Sequence, residues 1–293
     1  MHILLIGASG QVGQELQCQL PALGKLTALG RQQLDLTEPH AIRNTLQVIK
    51  PDCIINAAAY TAVDKAETEP DLANAVNGVA SRVIAATAEK IGARLLHIST
   101  DYVFDGQYHR PYTESHPTSP LGCYGLSKQK GEQGIQETGA HAVILRTAWV
   151  YGSRGQGNFV KTMLRVGSQR DELKVVVDQI GTPTWSADIA RAICRLVNIL
   201  EAFQPGGEIF HFTNSGAASL YDFAIAISEE ARSLGLPWQA NNIIPIPTEA
   251  YPLPAPRPSY SVLSNQKIIN FLGQAAPHWR SSLRQMLAEL VAI

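Results

Sequence analysis

His2-Ile3-Leu4-Leu5-Ile6-Gly7-Ala8-Ser9-Gly10-Gln11-Val12-Gly13, at the head of the sequence, decides the fold. Its apolar run is short and ends abruptly at Gly7, as expected of a strand buried on both faces of a parallel sheet. A helical pattern follows over about Gln11 to Leu20 and is broken by Pro21. Between strand and helix lie Gly7, Gly10 and Gly13, spaced GxxGxxG. Glycines there let a backbone approach a diphosphate, and the helix N-terminus adds N–H donors and a positive dipole end. The spacing is not GxGxxG, and a plain tight turn would explain two of the glycines. The position directly after an apolar strand favours a dinucleotide-binding turn over a plain one.

Outward from this stretch, strand and helix patterns alternate. Strands are expected at Lys25–Gly30, Cys53–Ala59, Arg94–Thr100, Ala142–Val150 and Leu173–Val177, the last completing the core sheet. Helices are expected between them, over Asp71–Gly92, Tyr124–Glu137 and Phe159–Gln169, and one that Thr37 would cap ahead of Glu38-Pro39. The alternation implies βαβ crossovers and an α/β fold, a Rossmann-type doubly wound parallel sheet. After about Pro183 the regularity weakens. Helices are still expected over Asp188–Glu201, Leu220–Leu234 and Trp279–Val291, with a strand at Ile209–Thr213. Prolines 245, 247, 252, 254, 256 and 258 bar continuous regular structure. The expected division is a dinucleotide-binding domain over 1–183, with some return of the chain from the C-terminal part. A smaller, mainly substrate-binding α/β subdomain would cover 184–293.

Composition narrows the class. The chain has 293 residues, 45% hydrophobic and 17% charged, with a formal net charge of -1. That balance offers no basic footprint for nucleic acid. Cys18, Cys53, Cys123 and Cys194 form no CxxC pair and read as small buried hydrophobes in a reducing compartment. No apolar run approaches the roughly 18 residues that span a membrane. The N-terminal run is short and lacks a basic leader, so a signal peptide is not expected and a cytoplasmic location is.

The second strand should end at Ala28-Leu29-Gly30-Arg31. A carboxylate there would bind a free ribose 2′-hydroxyl, whereas Arg31 would accommodate a 2′-phosphate. NADPH is therefore expected over NADH, unless Arg31 is simply a solvated surface charge. At the carboxyl end of another strand stands Ser99-Thr100-Asp101-Tyr102, and Tyr124-Gly125-Leu126-Ser127-Lys128 opens a helix. Residues four apart share a helix face, so Tyr124 and Lys128 point the same way. Reduction of a ketone needs a proton donor at its oxygen. A free phenol has a pKa of about 10, and a neighbouring ammonium should lower it. Lys128 could also bond the nicotinamide ribose, and the Thr100 hydroxyl could orient the carbonyl. YxxxK alone is weak, but glycine turn, Ser-Thr and YxxxK in this order form a joint signal.

With these motifs the chain resembles the extended, sugar-nucleotide branch of the short-chain dehydrogenase/reductase superfamily, and within it the dTDP-4-dehydrorhamnose reductase family. The resemblance runs through Ile6–Gly13, Asn56–Glu67, Ser99–Phe104, Arg146–Tyr151, Asp178–Thr184 and Pro256-Arg257-Pro258. It implies an oxidoreductase acting on a CH–OH group, with NADP or NAD as cofactor. The implied reaction is reduction of the C4 ketone of dTDP-4-dehydro-β-L-rhamnose, the last step of dTDP-rhamnose supply for cell-surface polysaccharide such as O-antigen. It further implies that Gly10 to Val12, Asp35, Leu36, Ala59, Tyr60, Thr61, Tyr124 and Lys128 contact the cofactor, and that Thr100, Asp101 and Trp149 contact the sugar nucleotide. Without the resemblance, Asp35 reads as part of a turn before Thr37, and Trp149 as a core aromatic. Arg257 is a candidate diphosphate partner, or else a tether for the proline-rich loop.

Some members resemble Mg²⁺-bridged homodimers held by three carboxylates. Glu15 and Glu289 stand at two of those places and Ser186 at the third, so the sequence offers at most a weak Mg²⁺ site and leaves the dimer open. Two other functions stay in view. One is a reductase or epimerase of another nucleotide-linked 4-keto sugar. The other is a non-catalytic NADP-binding regulatory subunit, like the β subunit of methionine adenosyltransferase.

Overall fold

β1 (His2–Ile6) sends Ile3 and Leu5 to one face of a sheet and Leu4 and Ile6 to the other, and both faces are covered. Ile3, Leu4 and Leu5 are each 0% exposed. At about 1.5–3 kcal/mol for full burial of such a side chain, this one strand contributes a sizeable share of the core. The computed structural model describes residues 1–200 and 203–292.

After β1 the chain forms α1 (Gln11–Gln19), β2 (Lys25–Leu29), α2 (Pro39–Ile49) and β3 (Cys53–Asn56). Next come α3 (Val63–Ala66), α4 (Pro70–Asn74), α5 (Ala80–Ile91), β4 (Arg94–Thr100), α6 (Cys123–Glu137) and β5 (Ala142–Thr147). Then follow β6 (Val150–Tyr151), α7 (Phe159–Gly167), β7 (Glu172–Val176), β8 (Ile180–Gly181), β9 (Thr184–Trp185), α8 (Ser186–Val197) and β10 (Glu208–His211). The rest is β11 (Ala218–Ser219), α9 (Leu220–Ser233), β12 (Asn242–Ile246), α10 (Gln266–Leu272) and α11 (Trp279–Ala292). Among the described residues no helix is long and apolar enough to cross a membrane. Glu201, the expected end of the helix from Asp188, lies outside the described residues.

The main sheet has six strands in the order β2-β1-β3-β4-β5-β10, and every neighbouring pair is parallel. α1 and α8 cover one face through Val12, Leu16, Ile189 and Ile193. α2 and α5 cover the other through Ile42, Leu46, Ile84 and Ala88. The order reverses between β1 and β3, and in such sheets the crevice at that reversal is the ligand site. A second core joins Tyr151, Val160, Trp185, Phe223, Trp279 and Met286 from α7, α9, α11 and the short strands around them.

Several sequence expectations change. The strand at Leu173–Val177 does not complete the main sheet. β7 pairs with β12 in a sheet of its own, and β10 is the sixth strand, held by Phe210 in the main core. The strand expected to run to Val150 ends at Thr147, because Trp149 turns the chain with φ +45° and β6 pairs elsewhere, with β9. β3 stops at Asn56, whose Oδ1 accepts the Ala58 N–H at 3.2 Å and bends the backbone. Thr37 is not a cap: its N–H and hydroxyl both donate to Asp35 Oδ1 at 2.9 Å, and α2 starts after Glu38. The long helix over Asp71–Gly92 is split by a π-helical turn at Ala75–Val79. Such turns re-aim a side chain, and here the side chain is Asn77, which is buried. All four cysteines are free, but only Cys53 is buried and Cys18 is exposed.

Candidate active site

The carboxyl ends of β1, β3, β4 and β5 open into one cleft of about 1470 Å³. Gly7, Gly10, Gln11, Val12, Arg31, Asp35, Leu36 and Ala59 to Thr61 line one end. Thr100, Asp101, Tyr124, Lys128, Trp149 and Arg257 line the other. Gly13, Glu15 and Glu289 do not line it.

At the first end the chemistry lies in the backbone. Gly7 has φ +89°, and a Cβ on it would sit 2.5 Å from the Ala58 nitrogen. A Cβ on Gly13 would sit 2.1 Å from the Gly7 oxygen, so this glycine lets helix and turn pack rather than touching a ligand. Gly10 is the N-cap of α1 and supplies no side-chain cap. The first N–H groups of α1 therefore stay free for an anion. These features fit the diphosphate of a dinucleotide. Arg31 and Asp35 are exposed at the rim. Asp35 is engaged with Thr37, and those bonds hold its carboxyl below the usual range. The backbone of the Tyr60 loop is clamped by Asn77, whose Oδ1 accepts Tyr60 N–H at 2.9 Å and whose Nδ2 donates to the Tyr60 carbonyl at 3.1 Å. The same Nδ2 donates to Ser127 Oγ on α6 at 2.9 Å. One side chain thus ties the cofactor rim to the catalytic helix.

At the second end the side chains decide. Gly125 brings α6 against the turn after β4, since a Cβ there would meet the Tyr102 oxygen at 2.2 Å. That approach sets Tyr124 beside Thr100, with the Tyr102 and Tyr124 rings edge to face at 5.6 Å. Lys128 is 2% exposed, and its Nζ donates to the Ile98 carbonyl at 2.6 Å. Burial lowers its pKa to about 8, with Glu132 acting the other way. Burial pushes the Tyr124 phenol up to about 12, partly offset by the Thr100 hydroxyl. The lowering expected of Lys128 is outweighed: desolvation dominates the phenol, and the amine is directed at the Ile98 carbonyl. Asp101 is buried, and burial raises it to about 6, against bonds from Ser261 and Thr100. Thr100 Oγ1 donates to Asp101 Oδ1 at 3.1 Å, and Asp101 Oδ2 has no partner.

Beneath the site Glu132 accepts from Arg146 Nε at 2.9 Å and Nη2 at 2.6 Å, both side chains 3% exposed. Trp149 stands in the wall, and a Cβ on Gly181 would lie 2.5 Å from its ring. Non-glycine residues in the left-handed region are uncommon and gather at functional sites. Arg257 lines the cleft and is also a tether: Nη1 and Nη2 donate to Asp64 at 2.6 and 2.8 Å. That pairing holds Asp64 below the usual carboxylate range.

Mg²⁺ is poorly served. Glu15 and Glu289 share Arg154, 3.7 and 4.0 Å away, so a guanidinium already faces both carboxylates. Glu15 Oε1, Glu289 Oε2 and the Ser186 hydroxyl have no hydrogen-bond partner, but no group of three His, Cys, Asp or Glu fit to hold a metal occurs among the described residues. The donor set does not fit a divalent ion. Sequence reasoning missed Asn77, His97 and Asp64. The only signals were a polar residue in an Ala- and Val-rich helix and a lone His inside an apolar strand.

A doubly wound parallel sheet with a free glycine turn at one end of its cleft and Tyr124, Lys128 and Thr100 at the other defines a Rossmann-type protein of the short-chain dehydrogenase/reductase class. The chain belongs to the family described as RmlD substrate binding domain, which it matches over residues 1–292. It is similar to the dTDP-4-dehydrorhamnose reductase of Burkholderia thailandensis, 42% identical over 300 residues and covering 100% of each chain. Among solved structures it is similar to a dTDP-4-dehydrorhamnose reductase from Clostridium acetobutylicum, with 39% identity, 100% of each chain covered and a TM-score of 0.92. It is also similar to that of Bacillus anthracis in complex with NADP, with 36% identity, 98% and 99% coverage and a TM-score of 0.91.

Proposed function

We propose that this chain reduces the C4 ketone of dTDP-4-dehydro-β-L-rhamnose to give dTDP-L-rhamnose, with NADPH as the preferred reductant. The observation that carries this reading is one cleft joining the free N-terminus of α1 to Tyr124, Lys128 and Thr100. Full-length similarity to reductases of that name supplies the substrate. The main-sheet unit holds the dinucleotide, with Gly7, Gly10, Gln11 and Val12 at its diphosphate and Arg31 at a 2′-phosphate. When bound, the dinucleotide supplies reducing equivalents as hydride.

The side chains do the rest. The Thr100 hydroxyl turns its one proton from Asp101 to the ketone oxygen and orients it. Tyr124 donates its proton to that oxygen as charge develops there. A phenol with a pKa of about 12 is fully protonated at neutral pH, the state a donor requires. Lys128, one turn along α6, stabilises the phenolate left behind. Trp149, Asp101 and Arg257 face the sugar nucleotide. Nothing in this scheme uses Mg²⁺, and activity is expected to survive EDTA.

The test supplies dTDP-4-dehydrorhamnose and follows NADPH absorbance. Wild type turns over, and Tyr124→Phe loses most of kcat. A chain that binds NADPH yet oxidises it with no 4-keto sugar would be a binding subunit instead. Turnover confined to another 4-keto sugar would move the substrate assignment alone.

A further inference from the structure

Behind Lys128, away from the cleft, lies a buried pair that the reaction as described does not use. His97 on β4 is 1% exposed, and its Nε2 is 3.3 Å from Lys128 Nζ. Its Nδ1 is 3.1 Å from Asn56 Nδ2 on β3. The orientation of Asn56 is fixed independently, since its Oδ1 accepts the Ala58 N–H at 3.2 Å. The amide nitrogen therefore faces His97 and donates, so Nδ1 is an acceptor. A neutral imidazole has one proton, which then sits on Nε2. That proton points at Lys128. An ammonium has only donors and would meet N–H with N–H, whereas an amine has a lone pair to accept it. Charge on His97 is itself disfavoured by burial, and further by Lys128.

From this geometry we infer that His97 is a positioning residue for the reductase reaction, tuning the protonation of Lys128 by presenting Nε2–H to its nitrogen. The inference rests on the reductase reading for its kinetic arm only. The other ionisable groups on the surrounding elements include Tyr124 and Glu132 on α6, Arg146 on β5 and Asp101 just after β4. Glu132 favours the ammonium, but its charge is already shared with Arg146. Burial brings the Lys128 titration to about 8, and an N–H aimed at its nitrogen from His97 acts in the same direction. Below that midpoint the ammonium stabilises the Tyr124 phenolate. Above it the amine does not, so kcat for reduction should fall on the alkaline side with this midpoint.

The test begins without turnover. In protein carrying ¹⁵N-histidine and ¹³Cε-lysine, at pH 9, His97 is expected as the Nε2–H tautomer, with Lys128 titrating near 8. His97→Gln presents an amide oxygen that can accept from the ammonium. It should raise the Lys128 midpoint by about one unit or more, and the alkaline limb of kcat with it. KM for NADPH should hold. An Nδ1–H tautomer in wild type, or a midpoint and a pH profile that His97→Gln leaves in place, overturns the proposal. Should His97→Gln fail to fold, Asn56→Asp reads the tautomer directly. Its carboxylate accepts from Nδ1–H and should move the proton there, and an unchanged Nε2–H tautomer also overturns the proposal. An inert wild type with the expected spectra would sink the reductase reading and leave the tuning intact.

Discussion

The two ends of the cleft work by different physics. At the glycine turn the working groups are backbone N–H donors, and glycines at 7 and 13 exist so that strand, turn and helix can touch. At the Tyr124 end the working groups are side chains whose properties come from burial and from neighbours far along the chain. Lys128 has its Nζ on Ile98 and His97, 30 and 31 positions away. The first end is local and the second is assembled. Substitutions should therefore damage them in different ways, the first through shape and the second through proton affinity and charge.

The largest effect belongs to the assembled end. Tyr124→Phe removes the only proton donor proposed for the ketone oxygen while keeping the ring that packs on Tyr102. A loss of 10² to 10⁴ in kcat is expected, about 3–5 kcal/mol of barrier, with KM for NADPH little changed. Steady-state kinetics checks it, and a Phe variant with near-full kcat breaks the comparison at its root. Next is Glu132→Gln, which leaves the Arg146 guanidinium buried and short of its charge partner. Breaking such a pair costs about 3–5 kcal/mol. Urea unfolding should show the loss, and one below about 1 kcal/mol would mean that solvent reaches the pair.

This difference also sorts what the sequence made legible. The glycine turn is readable because its strand, turn and helix are contiguous, and β1 and α1 lie where the pattern puts them. Tyr124 and Lys128 are readable as a spacing, and the cleft does receive them with Thr100. The direction of their pKa shifts is not readable. Proximity on a helix suggests a lowered phenol, whereas burial in the folded chain raises it to about 12. Asn77 was hidden because a π-helical turn, which no propensity marks, turns it inward. β7 was misplaced because a short, largely apolar strand looks alike in any sheet; its partner, Asn242–Ile246, lies in the proline-rich stretch where no strand was expected.

At the local end, Arg31→Ala tests the 2′-phosphate assignment. Charge-assisted hydrogen bonds are worth about 1.5–3 kcal/mol. The kcat/KM ratio of NADPH to NADH should drop by about 10- to 100-fold, mostly through KM for NADPH. A ratio that holds would return Arg31 to the solvated surface its exposure allows.

The smallest effect on stability separates two glycines of one turn. Gly7→Ala places a methyl 2.5 Å from backbone nitrogen at φ +89°, so the turn itself must move. Gly10 has φ -73°, which any residue adopts, and a Cβ there meets only the Gly7 oxygen at 3.4 Å. As an N-cap, Ala is poorer than Gly, a cost of about 0.5 kcal/mol. Gly10→Ala should therefore fold almost as wild type, while its methyl stands in the cleft where the diphosphate is proposed to lie. NADPH affinity should fall several-fold with the unfolding midpoint nearly unmoved, whereas Gly7→Ala should lower both. Fluorescence titration with NADPH beside thermal unfolding reads the two quantities. If Gly10→Ala binds NADPH as wild type does, the diphosphate does not lie over the start of α1.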